Sequence, residues 1–228
     1  MALPAVLTRF AAALAATAAL AAPAHAGAQR EEALADVVRT ALAAAVVDDR
    51  MPPAPIFESG QARAQWLATH AARLPVRWLP DATHRAEFLS TVRYEAQRAG
   101  LDPQLVLGLI EVESGFRKYA VSSVGARGYM QVMPFWSRTI GDGDAAKLFD
   151  ARANLRFGCA ILRHYLDRER GDLVRALGRY NGSLGRTEYP SAVFAAAVRW
   201  GWRAPATPSH APQTPSADIA QRPAPRPS

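Results

Sequence analysis

Two carboxylates that follow an apolar stretch are the residues best suited to acid–base chemistry in this sequence. Glu111 and Glu113 come directly after Leu105–Ile110. Residues two apart on a helix point about 200° apart around its axis, so this pair cannot face one substrate together. Glu113 falls in the last helical turn, where the helix macrodipole disfavours a negative charge. If apolar neighbours also desolvate this carboxyl, its pKa rises toward the value that a general acid needs near neutral pH.

Polar and aromatic residues further along the chain are candidates for ligand binding. Gln131 and Asn181 can hydrogen-bond sugar or amide groups, and Tyr180 and Trp136 can stack on sugar faces. Each residue also has a structural interpretation, because Asn181 can close a turn after a helix and the two aromatic side chains can fill the core. A glutamate near a helix end is itself more often a solvated surface residue, so residue types alone leave both interpretations open for Glu113.

The segment that must position Glu113 has clear helix boundaries. Asp102 is suited to the N-cap and Pro103 to the first helical position, while Ser114-Gly115 predicts the end of the helix. A loop rich in small residues follows, with Ser122, Ser123, Gly125 and Gly128. A buried helix that ends in an acid and faces such a loop predicts the floor of a cleft.

The rest of the chain also has mainly helical patterns. Further helices are predicted over residues 27–50, 61–73, 81–97, 134–140, 150–169 and 172–180, and after Tyr189-Pro190. In the first of them, five apolar residues share one face: Leu34, Val37, Val38, Leu42 and Val46. Gly158 predicts the close approach of a neighbouring helix. No stretch shows strong alternation, so the fold is expected to be mainly α, with at most a short irregular strand pair between Tyr119 and Gln131.

The two ends of the chain differ from its middle in composition. Residues 1–26 combine Arg9, an Ala/Leu-rich apolar run and Ala24-His25-Ala26, which is typical of a cleavable signal peptide. No cysteine follows the apolar run, so we expect no lipid or membrane anchor. The expected location is the periplasm, with secretion as the alternative. Residues 203–228 hold seven prolines and little apolar bulk, which predicts a disordered tail.

Charge and cysteine usage restrict the function classes. The chain has 27 Lys and Arg against 20 Asp and Glu, with a formal net charge of +7. This suits either a solvated surface or attraction to an anionic polymer, and no basic block interleaved with aromatics suggests nucleic acid. The lone Cys159 can form no intramolecular disulfide and is expected in the core. The histidines lack the spacing of metal ligands, so no metal site is expected.

Four motifs in order resemble the lytic transglycosylases of soluble (SLT) type. Residues 110–116, IEVESGF, resemble the Glu-Ser motif of that family. Residues 125–134, GARGYMQVMP, resemble its Gly-Leu-Met-Gln-Ile-Met-Pro block, and 154–158, NLRFG, resemble its Asn-Ile-x-x-Gly helix. Residues 179–182, RYNG, resemble its Tyr-Asn-Ala-Gly block. The resemblance covers about half of the chain and implies an α+β lysozyme-like fold, similar to goose-type lysozyme.

The resemblance also implies an activity and a set of site residues. It implies cleavage of the β-1,4 bond between N-acetylmuramic acid and N-acetylglucosamine in peptidoglycan without water, leaving a 1,6-anhydro-muramoyl end. Glu113 matches the single catalytic acid/base, and Tyr180 matches a residue that would hold Glu113 or the sugar. The remaining matches to cleft positions are Ser122, Gln131, Met133 and Asn181. No metal or cofactor is implied. Tyr129 stands where the family usually has Leu, and Gly182-Ser183 replaces Ala-Gly.

Four segments are expected along the chain, and alternatives to the leading function remain. The segments are a signal peptide (1–26), an N-terminal helical extension (27–83), a lysozyme-like transglycosylase domain (84–202) and a Pro-rich tail (203–228). A hydrolytic lysozyme would need a second carboxylate, for which Asp150 and Glu188 are candidates. A cell-wall-binding or assembly module without activity is a further alternative. The expected partner is the peptidoglycan glycan strand, with a machine that spans the cell wall as a hypothesis for the extension and tail. We expect a monomer.

Overall fold

The computed structural model describes residues 29–47 and 57–204. The predicted signal peptide and residues 205–228 of the predicted tail lie outside the described residues. The helices within the described ranges are α1 (Asp36–Val47), α2 (Gly60–Ala71), α3 (Ala82–Arg98), α4 (Pro103–Ser114), α5 (Phe135–Ile140), a 3₁₀ helix (Ala145–Phe149), α6 (Ala151–Arg168), α7 (Leu173–Asn181) and α8 (Glu188–Arg199). None of these helices is long and apolar enough to cross a bilayer.

Aspartate caps set the starts of four of the α-helices. Asp81, Asp102, Asp150 and Asp172 each accept a hydrogen bond from a backbone N–H in the first turn of the helix that follows. Such a cap satisfies an N–H group that has no partner within the helix. α4 then ends at Gly115, which adopts the left-handed conformation with φ 57°. Because these signals are local, the predicted bounds of α4 match the observed ones.

α4 is the central helix of the core. Leu105 is only 4% exposed, and residues 106–110 are fully buried. α4 packs against α3 and most extensively against α8. The crossing is close at Gly108, where an added Cβ would lie 2.5 Å from the backbone N of Ala197. Glycine is therefore required at this position for the two helices to approach each other.

The loop after α4 contains the β-type pairing that the described residues show. Arg127 forms isolated antiparallel bridges with Val121 and with Val132, and no longer strand appears within the described ranges. The prediction of a mainly α fold is confirmed. The short irregular pairing lies where the sequence predicted it, extended by one residue to Val132.

The structure corrects two details of the sequence-based predictions. Val37 was expected on the buried face of the first helix, but it is 76% exposed, whereas Leu42 and Val46 are buried. The helix begins only at Asp36. Val37 is nine residues before Val46, which places the two about 180° apart around the axis, so Val37 faces away from the buried side. Gly158 does allow a close approach, but the neighbour is the Met130 side chain in the loop and not a helix.

A buried ionic cluster holds the end of α1 on the core. The carboxylate of Glu95 is 1% exposed, and it pairs with Arg156 at 3.2 Å and Arg98 at 3.4 Å. The two guanidinium groups also donate to the carbonyls of Val46 and Ala45. Because carbonyls in the last turn of a helix have no helical partner, this cluster satisfies the C-terminus of α1 and fixes its position.

Substituting Gly108 tests the α4–α8 crossing. Gly108→Ala is expected to lower the free energy of unfolding by about 1–3 kcal/mol, because the new methyl group meets backbone that cannot rotate away. The gain in helix propensity, about 1 kcal/mol at most, does not offset this. Gly60→Ala is the matched control, since an added Cβ there meets nothing within 4 Å. Urea unfolding measures both, and equal stability of the two variants would contradict the close crossing.

Candidate active site

The two carboxylates of α4 point to different surroundings, as their spacing predicts. Glu113 lies in the last turn and is 3% exposed. Glu111 is partly exposed and forms an ion pair with Arg199. It also accepts a hydrogen bond from the indole Nε1 of Trp200 at 2.6 Å. Glu111 therefore joins α4 to the end of α8, and Glu113 alone faces the interior.

The two oxygens of the Glu113 carboxyl have unequal surroundings. Oε1 accepts a hydrogen bond from the hydroxyl of Tyr189, whereas Oε2 is buried and has no hydrogen-bond partner among the described residues. Burial raises the pKa of Glu113 to about 8, and the bond from Tyr189 acts in the opposite direction. At neutral pH the group is therefore mainly a neutral acid, with Oε2 available to carry the proton.

The partner of this carboxyl comes from a helix that the sequence did not connect with it. Tyr189 lies in the first turn of α8, is 4% exposed, and is 76 residues from Glu113. Sequence reasoning placed it only at a helix start. Nothing about a tyrosine followed by a proline at a helix start indicates that it bonds a carboxyl far away in the sequence. The close α4–α8 crossing at Gly108 is what brings the two side chains together.

Tyr180, which was expected to hold Glu113 or the sugar, makes a different hydrogen bond. It is fully buried in α7, and its hydroxyl donates to the carbonyl of Met130 at 2.8 Å. Burial and then the nearby Glu113 raise the pKa of this phenol well above its ordinary value. Tyr180 is thus close to the acid, but the hydroxyl that bonds Glu113 belongs to Tyr189.

The Gly/Ser loop owes its shape to a buried asparagine. Asn154 accepts a hydrogen bond from the Met130 N–H at 2.8 Å and donates to the carbonyls of Arg127 and Leu148, also at 2.8 Å. Gly128 passes so close that an added Cβ would lie 2.4 Å from Nδ2 of Asn154, and its φ is 75°. The amide therefore satisfies three backbone groups that the loop leaves without regular partners.

Two of the predicted binding side chains are also used within this loop. Gln131 has φ 48°, and its side-chain amide donates to the carbonyls of Gly128 at 2.9 Å and Ala120 at 3.2 Å. The hydroxyl of Ser122 accepts a hydrogen bond from the Ala126 N–H at 3.1 Å. Both side chains hold the loop in place, so the groups that the loop offers at Gln131 are those of its backbone.

The structure gathers three of the predicted residues around one residue that the sequence did not single out. Gln29 is buried, and its side chain bonds the Gln131 carbonyl and the Met133 N–H. It also lies near enough to Tyr180 to act on the pKa of that phenol. Asn181 is buried beside Tyr180 at the end of α7. Gln29 comes from the segment before α1, and nothing in its sequence context indicates this position.

The departure from the family pattern at Tyr129 affects a neighbouring cavity. The ring of Tyr129 is buried and lies 4.7 Å from that of Phe88, centroid to centroid. Both rings line a cavity of about 710 Å³ together with Trp78 and Tyr119. Glu113 is not among the residues that line this cavity. Tyr129 therefore lines a cavity whose wall does not include the acid.

Residues 90–193 match the family model described as the Transglycosylase SLT domain. The match covers the end of α4 with Glu113, the loop around Gln131 and the start of α8 with Tyr189. The chain therefore contains a transglycosylase SLT domain, and the resemblance seen in the sequence motifs is confirmed. Helices α1 and α2 lie outside the matched residues.

Curated relatives carry names of the same kind. A "Transglycosylase" of Enterobacteria phage PRD1 is 34% identical over 103 residues, which are 45% of this chain and 37% of that protein. A "Membrane-bound lytic murein transglycosylase C" of Actinobacillus pleuropneumoniae is 42% identical over 93 residues, which are 36% of this chain and 26% of that protein. The chain thus spans well under half the length of these relatives. A solved structure, an inactive mutant of lytic transglycosylase Slt from Pseudomonas aeruginosa, has 22% identity and a TM-score of 0.45, over 76% of this chain and 38% of that one.

The raised pKa of Glu113 predicts a pH-dependent difference in stability. Between about pH 4.5 and 8 the unfolded chain ionises Glu113 while the folded chain keeps it protonated, so wild-type stability falls as pH rises. The neutral variant Glu113→Gln does not lose this contribution. We expect the free energy of unfolding of the variant to increase relative to that of wild type by about 1.4 kcal/mol per pH unit in this window, and not to change relative to wild type below about pH 4.5.

Urea unfolding of both proteins at several pH values measures this difference. All other titrating groups are shared, so the difference reports Glu113 alone. The Glu111–Arg199 pair offers a control. Glu111→Gln removes a carboxylate from the same helix but leaves the buried Glu113 in place, so its difference in stability from wild type should not grow with pH in this way. A constant difference for Glu113→Gln would contradict the raised pKa.

Proposed function

We propose that this chain is a peptidoglycan lytic transglycosylase that cleaves the β-1,4 bond between N-acetylmuramic acid and N-acetylglucosamine without water. The observation that carries the proposal is the buried Glu113 carboxyl, with one oxygen bonded to Tyr189 and the other without a partner among the described residues. Burial raises the pKa of this carboxyl to about 8, which favours the protonated acid at neutral pH. The SLT domain and the names of the relatives support the substrate class. We assign residues 84–202 to the catalytic domain.

The first step uses Glu113 as a general acid. Its proton passes from Oε2 to the glycosidic oxygen while the bond from that oxygen to C1 of the muramoyl residue breaks. The N-acetylglucosamine side leaves as an alcohol, and Glu113 becomes a carboxylate. Positive charge that develops at C1 is stabilised by the acetamido group of the same sugar, because only one carboxylate lies in the site among the described residues.

The second step returns the proton. The C6 hydroxyl of the muramoyl residue attacks C1, and Glu113 accepts the hydroxyl proton as a general base. A bond from O6 to C1 replaces the bond to the leaving group, so the product is a 1,6-anhydro end and no water is consumed. The enzyme is left as it began, with a protonated Glu113.

Tyr189 acts as a positioning residue for this acid. Its hydroxyl donates to Oε1 of Glu113, so the proton of the neutral acid resides on Oε2. The same bond favours the carboxylate form and keeps the raised pKa from rising further. The Tyr189 hydroxyl therefore determines both which oxygen of Glu113 carries the proton and the pH range in which Glu113 can act as an acid.

The candidates for a second carboxylate have other partners, which favours the lyase over a hydrolytic lysozyme. Asp150 is the N-cap of α6 and accepts from the Ala153 N–H at 2.9 Å. Glu188 is exposed and forms an ion pair with Arg186. A hydrolase needs a carboxylate that activates water across the sugar from the acid. Glu188 is paired at the surface, and Asp150, which lines the cavity around Tyr129, already caps α6 through Oδ1.

The binding groups and the location complete the proposal. We assign Ser122, Gln131, Met133, Tyr180 and Asn181 to the glycan cleft, with Ser122 and the Gln131 side chain shaping the loop and the backbone near Gln131 making contact. The net charge of +7 suits a polymer that carries carboxylates. Residues 1–26 would be removed on export to the periplasm. No metal or cofactor takes part in the proposed steps.

The product distinguishes the candidate functions. Purified sacculi treated with the mature protein are expected to release muropeptides lighter by one water than the hydrolysed forms, as measured by mass spectrometry. Glu113→Gln is expected to reduce release by about 10³-fold or more, because it cannot donate and recover a proton. Glu111→Gln, two residues away, is expected to retain activity.

Other products would overturn parts of the proposal. Hydrated reducing ends would identify a hydrolytic lysozyme with a second carboxylate. Binding to sacculi without release, by wild type and variant alike, would identify a wall-binding module. Full activity of Glu113→Gln would exclude Glu113 as the acid.

The pH profile tests the role of Tyr189. Activity that needs protonated Glu113 falls as pH rises through about 8, so kcat/KM of the wild type should decline tenfold per pH unit above that value. In Tyr189→Phe the bond that lowers the pKa of Glu113 is lost, so the decline should begin at higher pH. The maximal rate should also drop, by about 10- to 100-fold, because the acid is no longer held in place.

The direction of the shift is the decisive readout. A variant that merely loosens the fold would lose activity at all pH values without moving the alkaline limb. An unmoved limb in a folded Tyr189→Phe would therefore contradict the assignment. Tyr180→Phe is the comparison, since its hydroxyl bonds Met130 rather than Glu113, and the limb should stay in place.

A further inference from the structure

A polar side chain from outside the transglycosylase domain is buried in the proposed cleft. Gln29 is 4% exposed, although it belongs to a segment without secondary structure before α1. Its Oε1 accepts from the Met133 N–H at 3.3 Å, and its Nε2 donates to the Gln131 carbonyl at 3.4 Å. A buried glutamine is uncommon unless its amide is paired, and here backbone groups of the cleft loop pair it.

The chemistry of this pairing matches that of the proposed substrate. One carboxamide presents a carbonyl oxygen to a backbone N–H and an N–H to a backbone carbonyl two residues away. The acetamido group of an N-acetylated sugar presents the same two functions, one acceptor and one donor on a single amide plane. Gln29 therefore fills the position that an acetamido group of the glycan would take on the same backbone.

Two further sets of contacts hold the segment of residues 29–35 across the domain. Glu32 forms an ion pair with Arg168 at the end of α6 and lies 3.5 Å from Arg179 of α7. At the other end, α1 is fixed by the buried cluster around Glu95 that satisfies its last carbonyls. Both anchors follow Gln29 in the chain, and they hold the segment on the domain in addition to the two bonds of Gln29 itself.

We propose that residues 29–35 form an autoinhibitory strap whose Gln29 side chain occupies an acetamido-binding subsite of the cleft. This inference rests on the proposed function, because it takes an N-acetylated glycan as the competitor. Glycan and strap cannot hold the Gln131 carbonyl and the Met133 N–H at the same time. The strap must leave before the glycan binds.

The contacts of the strap are of a strength that substrate can overcome. Both hydrogen bonds to the loop backbone are long, above the usual 2.7–3.2 Å range. The Glu32 pair with Arg168 is partly exposed on both sides, and such pairs contribute little. Leu34 alone among residues 29–35 packs on the core. An intramolecular competitor of this kind divides the intrinsic Kd and KM by the fraction of open molecules, which raises both apparent values and leaves kcat unchanged.

Three variants of the mature protein test the strap. Gln29→Ala removes the amide from the subsite, and Glu32→Gln weakens the strap away from the cleft. Glu31→Gln is the matched control, with the same change of charge one residue away on a side chain that forms no ion pair with the described residues. The probe is a hexamer of N-acetylglucosamine, with binding measured by calorimetry. Gln29→Ala and Glu32→Gln are expected to bind it about three- to tenfold more tightly, and Glu31→Gln as wild type does.

Two readouts separate this inference from the proposed function. On sacculi, the first two variants should lower KM with kcat unchanged. Independently of activity, the Met133 amide should be protected from hydrogen exchange in wild type, exposed in Gln29→Ala, and protected again when the hexamer binds. Tighter binding and this exchange pattern without any muropeptide release would uphold the strap while the lyase fails.

Several results would overturn the strap. Unchanged hexamer binding by Gln29→Ala would mean that Gln29 does not affect the subsite. Weaker binding would mean that Gln29 contributes to the binding site instead of blocking it. Equal effects of Glu31→Gln and Glu32→Gln on hexamer binding would mean that the change of charge matters and the ion pair of Glu32 does not. A Met133 amide that exchanges equally in wild type and Gln29→Ala, or that the hexamer never protects, would remove the subsite itself. Thermal unfolding of each variant confirms that the fold is retained.

Discussion

The burial of one carboxyl is the constraint on which the other features of this molecule depend. For a glutamate that is 3% exposed at a helix C-terminus, burial and the helix dipole both favour the neutral acid over the carboxylate. For that burial, α4 must be apolar on nearly its whole circumference, and α8 must cross it closely enough to need Gly108. The same crossing supplies Tyr189. The chemistry of the site thus follows from the packing of two helices.

Local signals in the sequence were sufficient to predict the elements that build this core. The predicted helix over 81–97 is observed at Ala82–Arg98, and that over 150–169 at Ala151–Arg168. Aspartate caps and terminal glycines act within one turn, so they can be read without knowledge of the fold. The divergence of Glu111 and Glu113 follows from helix geometry alone, and so did the candidacy of Glu113 as a buried acid.

Contacts between distant residues were beyond the reach of that reasoning. Tyr189 lies 76 residues from Glu113, and Gln29 lies 102 from Gln131. A polar residue in a loop can bind a ligand or satisfy its own backbone, and residue type does not distinguish the two. Gln131 illustrates this, because its side chain is used inward while its backbone carbonyl stays available to another amide.

The separate roles of side chain and backbone at Gln131 bear on how the proposed cleft would recognise ligands. The side chains of Asn154 and Gln131 satisfy backbone groups within the loop, and the Gln131 carbonyl and the Met133 N–H are left to bond another amide, here that of Gln29. Backbone groups recognise an amide without regard to what carries it, which is why the proposed strap would compete with an acetamido sugar through a glutamine side chain. The two competitors differ in number, since a glycan offers an acetamido group on every residue and the strap offers one. A repeating polymer can displace a single glutamine because each of its further contacts adds to its affinity but not to that of the strap.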